Sequence, residues 1–187
     1  MNRSSRDVYD ELLVIRCRRS DLSAWDELVR RWNDRLLYYL RRLIDHEHDA
    51  TNAVQDVWMH VLRGLGTLQD GTRLAPWLYT IARRTAMNHL RSRYALHEES
   101  SPAAIADEID DSNEVQLQLD NAELVHFGLS QLGRAEREVL TLFFLEDLSI
   151  DEMADLLKIP PGTVKSRLFK ARHDLKRVLA KEVPIHE

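Results

Sequence analysis

The chain has 187 residues, 26 Lys+Arg against 31 Asp+Glu, and 44% hydrophobic residues. That suffices for one or two domains of modest core, and the apolar periodicity excludes a disordered or collagen-like chain. One cysteine, Cys17, excludes a disulfide scaffold; the N-terminal MNRSSRDVYDELL lacks a signal-peptide core and no apolar run is long enough to span a bilayer, so a reduced, cytoplasmic protein with no membrane partner is expected.

The net charge of −5 hides two blocks. Residues 98–123 hold nine acids and no Lys or Arg, which leaves 22 acids against 26 bases elsewhere, a net of +4. Residues 163–181 carry seven bases against one acid, Asp174. All four Trp and all five Tyr precede residue 98, and all four Phe follow it. The expectation is an all-α chain with two separately built helical domains, 1–97 and 124–187, joined by a flexible acidic linker, 98–123, that turns helical from about Val115.

In chain order, Trp25, Leu28, Val29, Trp32, Leu36, Leu40 and Leu43 recur at helical spacing, with Asp21 or Ser23 as cap. Ala53, Val54, Val57, Trp58, Val61, Leu62 and Leu65 do the same. Gly64, Gly66, Asp70 and Gly71 mark a loop. Pro76 then fits the first turn of a helix running to about Arg93. Glu136–Glu146 reads as an apolar helix. Ser149-Ile-Asp-Glu152 is a capping-box pattern before the helix Met153–Leu157. Lys158-Ile-Pro-Pro-Gly162 breaks it, and Thr163–Lys181 follows as a long basic helix. Helix, tight turn and basic helix make a helix-turn-helix pattern.

On a wheel of the last helix, Val164, Leu168, Ala171, Leu175 and Val178 share the packing side. Ser166, Phe169, Lys170, His173 and Arg177 lie opposite, flanked by Lys165, Arg167 and Arg172. An outward Phe among bases suits a major groove, where a ring meets a thymine methyl and Lys or Ser reach base edges. In the helix after Pro76, Arg84, Asn88 and Arg91 share a face near Trp77 and Tyr79, a pattern that fits unstacked bases and also fits an ordinary core Trp. Catalytic motifs are lacking. Cys17 reads as an incidental thiol, and His46, His48 and Asp49 do not complete a metal site. No cofactor or metal is expected.

At these residues the sequence resembles the extracytoplasmic-function sigma factors of bacterial RNA polymerase. Asp49-Ala-Thr-Asn-Ala-Val-Gln-Asp56 resembles the family's polymerase-docking segment. Pro76-Trp-Leu-Tyr-Thr-Ile-Ala-Arg83 with Asn88-His-Leu-Arg-Ser-Arg93 resembles its strand-opening segment. Arg137-Glu-Val-Leu140, Leu148-Ser-Ile-Asp-Glu-Met-Ala154 and Pro161-Gly-Thr-Val-Lys-Ser-Arg167 resemble its region four. The resemblance implies a non-enzymatic subunit that binds the beta-prime clamp helices of core polymerase through Asp49, Gln55 and Asp56. It implies minus-ten recognition by Gln69, Asp70, Gly71, Thr72, Arg73, Trp77, Arg84, Asn88 and Arg91. Minus-thirty-five recognition falls to Lys165, Ser166, Arg167, Phe169, Lys170 and Arg172. The acidic linker would thread channels that otherwise hold nucleic acid. An anti-sigma factor is a further implied partner.

Where the family has two further acids in the docking segment, Thr51 and Asn52 stand here. Phosphorylation of Thr51 by a Ser/Thr kinase would return about −1.5 to −2 charges. Only Glu182–Glu187 follows the last helix, so control by an appended domain is not expected. The rival readings are a self-contained helix-turn-helix repressor or activator, and a protein that holds polymerase or an anti-sigma factor without initiating.

Overall fold

The structure, a computed structural model, describes residues 5–44, 46–98 and 121–182, and all regular elements among them are helical. The N-terminal lobe contains α1 (Ser5–Arg18), α2 (Leu22–Leu43), α3 (Glu47–Gly64) and α4 (Leu74–Glu98). Two short 3₁₀ turns, Leu65–Thr67 and Gly71–Arg73, lead from α3 into α4. The C-terminal lobe contains α5 (Asn121–Ser130), α6 (Arg134–Leu140), α7 (Ile150–Leu157) and α8 (Pro161–Glu182), with a π-helical turn at Thr141–Leu145 after α6.

Helix α2 carries a strong periodic pattern and forms the spine of its lobe. Leu28, Trp32, Leu36, Tyr39, Leu40 and Leu43 are all fully buried, each aliphatic side chain contributing roughly 1.5–3 kcal/mol of burial. Asp21, rather than Ser23, caps it: the carboxylate accepts from the backbone N–H of Ser23 at 3.0 Å and of Ala24 at 3.2 Å. Those bonds, with the Ser23 hydroxyl foremost and Arg16 beside it, hold the Asp21 carboxyl down to about 2. Trp32, Tyr39 and Tyr79 meet edge to face at 6.1 and 5.2 Å between ring centroids. This brings α4 against α2.

Several expected boundaries shift. Helix α4 extends through Glu98 rather than stopping near Arg93, and Pro76 sits third in its first turn. The segment read as one helix, Glu136–Glu146, is α6 followed by the π turn, in which Glu146 N–H bonds back to Thr141 O at 3.1 Å. Helix α8 begins at Pro161, whose missing N–H costs nothing in a first turn. Helix α1 went unread because its buried face includes a carboxylate. Asp10 is buried beside Leu13, Val14 and Cys17, and Arg31 Nε donates to it at 2.7 Å. Most of the acidic linker, with its expected onset of helix near Val115, lies outside the described residues.

The expectation of two separate cores did not foresee how the lobes meet. Helix α6 packs on α2 and α7 packs on α4. Two glutamates of the C-terminal lobe, Glu138 and Glu146, are buried against arginines and tyrosines of the other.

Candidate nucleic-acid interface

The C-terminal lobe builds its exposed helix by a local chain of causes. Ser149 Oγ accepts from Glu152 N–H at 3.3 Å, and Glu152 Oε2 accepts from Ser149 N–H at 2.9 Å, a complete capping box on α7. Lys158 closes α7 in the left-handed region at φ 58, and Ile159 N–H returns to Ala154 O at 3.2 Å. That turn aims α8 across α7. Val164, Leu168 and Ala171 are buried at the crossing, with Leu175 and Val178 half-buried further along. Gly128 of α5 lets α8 approach closely: a Cβ there would stand 2.7 Å from Leu175 Cδ1.

The outward face is the one the wheel gives. Phe169 is 70% exposed, and Lys165, Ser166, Lys170 and Arg172 are exposed around it, while Arg167 is half-buried. Ser166 Oγ donates to Thr163 O at 3.0 Å. Lys170 is not free, as the wheel had left it. Its Nζ donates to Glu136 Oε1 of α6 at 2.6 Å. That ammonium lowers the Glu136 carboxyl below the usual range, and the carboxylate raises Lys170 in turn.

The second candidate surface lies where α4 starts. Gln69, Asp70 and Arg73 are exposed, and Asp70 accepts from Thr72 N–H at 3.0 Å and Thr72 Oγ1 at 2.6 Å, which shapes the turn. Gly71, expected within the recognition loop, is instead buried. Its Cα faces the backbone of α1, and an added Cβ would lie 3.1 Å from Glu11 Cα. Trp77 is half-buried; its six-membered ring lies over Gly64, 3.3 Å from where a Cβ would be. One ring edge thus belongs to the core, while the residue also lines a cleft of about 420 Å³ with Gln69, Asp70, Arg73 and Thr80. The opposite wall comes from the C-terminal lobe: Glu152, Asp155, Leu156 and Lys158. Arg84, Asn88 and Arg91 are exposed further along α4.

The expected docking residues lie on α3. Gln55 is exposed. Asp56 Oδ2 lies 2.8 Å from His89 Nε2, and Asp49 pairs with Arg93 Nη1 at 3.4 Å, so α4 engages both carboxylates. Thr51 is exposed, and its hydroxyl donates to Glu47 O at 3.0 Å. Cys17, read from the sequence as an incidental thiol, is buried, and burial pushes its thiol up to about 11, which disfavours a reactive thiolate. Among the described residues no group of three or more His, Cys, Asp or Glu could hold a metal ion, and no helix is long and apolar enough to cross a membrane.

The residues that sequence reasoning missed are those between the lobes: Arg35, Tyr39, Tyr79, Arg83, Glu138 and Glu146. The signal was an acid recurring inside an apolar stretch. Glu138 directly precedes the buried Val139 and Leu140, and Glu146 directly follows the apolar π turn.

Comparison with known proteins follows the same division. Residues 28–95 match the family model described as Sigma-70 region 2, and residues 123–175 match Sigma-70, region 4. The RNA polymerase sigma-H factor of Pseudomonas aeruginosa is 30% identical over 180 residues, covering 91% of this chain and 93% of that protein. The ECF RNA polymerase sigma-E factor of Escherichia coli is 29% identical over 178 residues, covering 90% and 93%. In fold, the chain is similar to the sigma factor RpoE solved with the anti-sigma factor NepR from Bartonella quintana, with a TM-score of 0.67 and 24% identity over 83% of this chain and 96% of that one. It is also similar to CnrH solved with the cytosolic domain of CnrY, with a TM-score of 0.64 and 20% identity over 93% and 99%. With a region-2 lobe, a region-4 helix-turn-helix and a relative matched along nearly its whole length, the chain belongs to the extracytoplasmic-function branch of the sigma-70 family of RNA polymerase sigma factors.

Proposed function

We propose a division of labour for this alternative sigma factor, which binds core RNA polymerase, directs it to specific promoters and helps open the DNA. Residues 1–97 act as region 2 and residues 124–187 as region 4, with 98–123 as the linker. On α8, Phe169, Ser166 and Lys165 meet base edges of the minus-thirty-five element. Lys170 joins them once it exchanges Glu136 for DNA, and Arg167 and Arg172 hold phosphates. The observation that carries this assignment is the 70% exposure of Phe169 amid bases at the end of a capped helix-turn-helix.

Gln69, Asp70, Thr72, Arg73 and Trp77 take the minus-ten strand, with Gly71 as the packing point that seats their turn on α1. Arg84, Asn88 and Arg91 continue that surface along α4. Unstacking a base costs a few kcal/mol, which an aromatic and basic neighbourhood offsets. Asp49, Gln55 and Asp56 dock on the clamp helices of beta-prime. Exposed Thr51, on the same helix, is open to a Ser/Thr kinase, and its phosphate would supply negative charge to that surface. An anti-sigma factor is a further partner, as in the complexes of the similar structures. The protein works without catalysis of its own, in the cytoplasm beside the polymerase.

Run-off transcription from a cognate promoter, with purified chain and core polymerase, tests the reading. Initiation that depends on both is expected. Specific duplex binding in a gel shift without core, and no initiation with it, would instead favour a free-standing helix-turn-helix regulator. For Thr51, the phosphorylated protein is expected to bind core more tightly than Thr51→Ala; equal affinity removes the kinase from the account.

A further inference from the structure

Helix α3 carries three carboxylates, Glu47, Asp49 and Asp56, and each meets a basic side chain of its own lobe. Glu47 pairs with Arg41 of α2. Asp49 Oδ2 lies 3.4 Å from Arg93 Nη1, and Asp56 Oδ2 lies 2.8 Å from His89 Nε2. His89 and Arg93 stand one turn apart on α4, so they share the face turned toward α3, whereas Arg84, Asn88 and Arg91 lie round the far side. Helix α4 therefore serves two surfaces. One face carries the residues assigned to DNA, and the other grips the acids assigned to docking.

That grip matters because the docking segment has no acid to spare. Thr51 and Asn52 carry no charge, so Asp49 and Asp56 are the only carboxylates between positions 49 and 56. At long range Arg93 turns the charge of Asp49 into a dipole, whose field fades faster with distance than that of a bare charge. At contact, a base arriving on α3 must displace Arg93 and His89 or share the carboxylates with them. Displacement is within reach: the side chain of Asp56 is 55% exposed and that of Asp49 32%, and ion pairs open to water hold weakly.

We propose that His89 and Arg93 set the strength of polymerase docking. By occupying Asp56 and Asp49 from within the chain, they compete with the lysines or arginines of the clamp and lower the affinity for core. The share of core that this subunit captures is smaller in proportion. This rests on the reading of Asp49 and Asp56 as docking residues.

The test measures binding of the full chain to immobilised core polymerase, without DNA, at several salt concentrations. Arg93→Gln and His89→Ala are each expected to raise affinity about two- to fivefold, chiefly through faster association. Arg93→Gln should also steepen the salt dependence, because a full negative charge is restored to the surface. Arg93→Lys, which keeps the charge, should bind like the unaltered chain. In an Asp49→Asn background Arg93→Gln should gain nothing, and His89→Ala should gain nothing in Asp56→Asn, since each gain passes through one carboxylate. A helix merely loosened by the substitution would bind more weakly in every background.

The proposal is overturned if neither Arg93→Gln nor His89→Ala binds core better than the unaltered chain. It is equally overturned if the gains persist once the carboxylates are gone, which would mark a general effect of net charge. Should Asp49→Asn and Asp56→Asn both leave core affinity unchanged, the docking reading fails and takes the proposal with it. If those two weaken binding while the release variants do not strengthen it, docking stands and the proposal alone falls.

Discussion

The chemistry of promoter contact comes down to a few side chains whose partners differ before and after DNA arrives. Phe169 has nothing to lose on binding, because its ring already stands in water. Phe169→Ala is expected to remove discrimination at one base position by about 1–3 kcal/mol and to leave the salt dependence unchanged, measured by competition among promoter variants with core present. Lys170 must first leave Glu136. Glu136→Gln is therefore expected to raise affinity for minus-thirty-five duplex several-fold at low salt and to steepen the salt dependence, because a competing carboxylate disappears and the ammonium is released to a phosphate or base. A binding titration at three salt concentrations checks it, and unchanged or weaker affinity would show that Lys170 does not reach DNA.

At this scale the sequence told which way a residue faces, since 100° per residue along α8 is a local rule. It did not tell what a residue touches across helices. The Lys170–Glu136 pair spans 34 positions, and Gly71 packs on Glu11 sixty residues earlier in the chain. Neither contact follows from any local spacing.

Helices were legible where their ends carry chemistry and their faces carry contrast. The capping box of α7 was visible as Ser149 and Glu152 three apart, and the structure closes both of its bonds. Ser149→Ala is expected to cost about 1 kcal/mol, read as a lower urea midpoint for the C-terminal lobe. The opposite end of α7 is a strained position for a side chain. Lys158 holds φ 58, a region that L residues enter at a cost. Lys158→Gly is expected to stabilise the same transition by up to about 1 kcal/mol, with an unchanged or lower midpoint showing that Gly's extra freedom in the unfolded chain outweighs the relief.

Elsewhere the contrast was lost. The buried Asp10 interrupts the apolar face of α1, and its partner Arg31 lies in a different helix. The π turn at Thr141–Leu145 keeps the apolar composition of a helix while changing its pitch, so periodicity alone ran through it.

The relation between the lobes is a property of the whole molecule. Arg35 and Glu146 are separated by 111 positions with the acidic stretch between them, so no pattern within either lobe foretells that they meet. Their meeting has a consequence for acidity. Burial pushes the Glu146 carboxyl above the usual range, and Tyr79 and Arg35 offset only part of that rise. The groups facing it are Arg35 from α2 and Tyr79 from α4, with Asp147 adjacent in the chain and raising it further. Tyr79 and Tyr39 are themselves pushed upward by burial, so both stay protonated throughout the working range.

In a parted chain Glu146 would be solvated and its carboxyl ordinary. The closed form then holds the proton more tightly than the open one. Its extra stability is fully present below the ordinary carboxylate range and is lost as pH rises through the raised value. Closure should therefore strengthen on acidification from about pH 7 to about pH 5. Nitroxides placed on Tyr38→Cys and His126→Cys, which face each other across the lobes, report it as growing dipolar broadening. Adding Glu146→Gln should hold the broadening at its acidic level and flatten the response. Broadening that declined toward pH 5 would mean that the attraction of Arg35 outweighs the cost of burying the charge, and that the lobes hold together more tightly as Glu146 ionises.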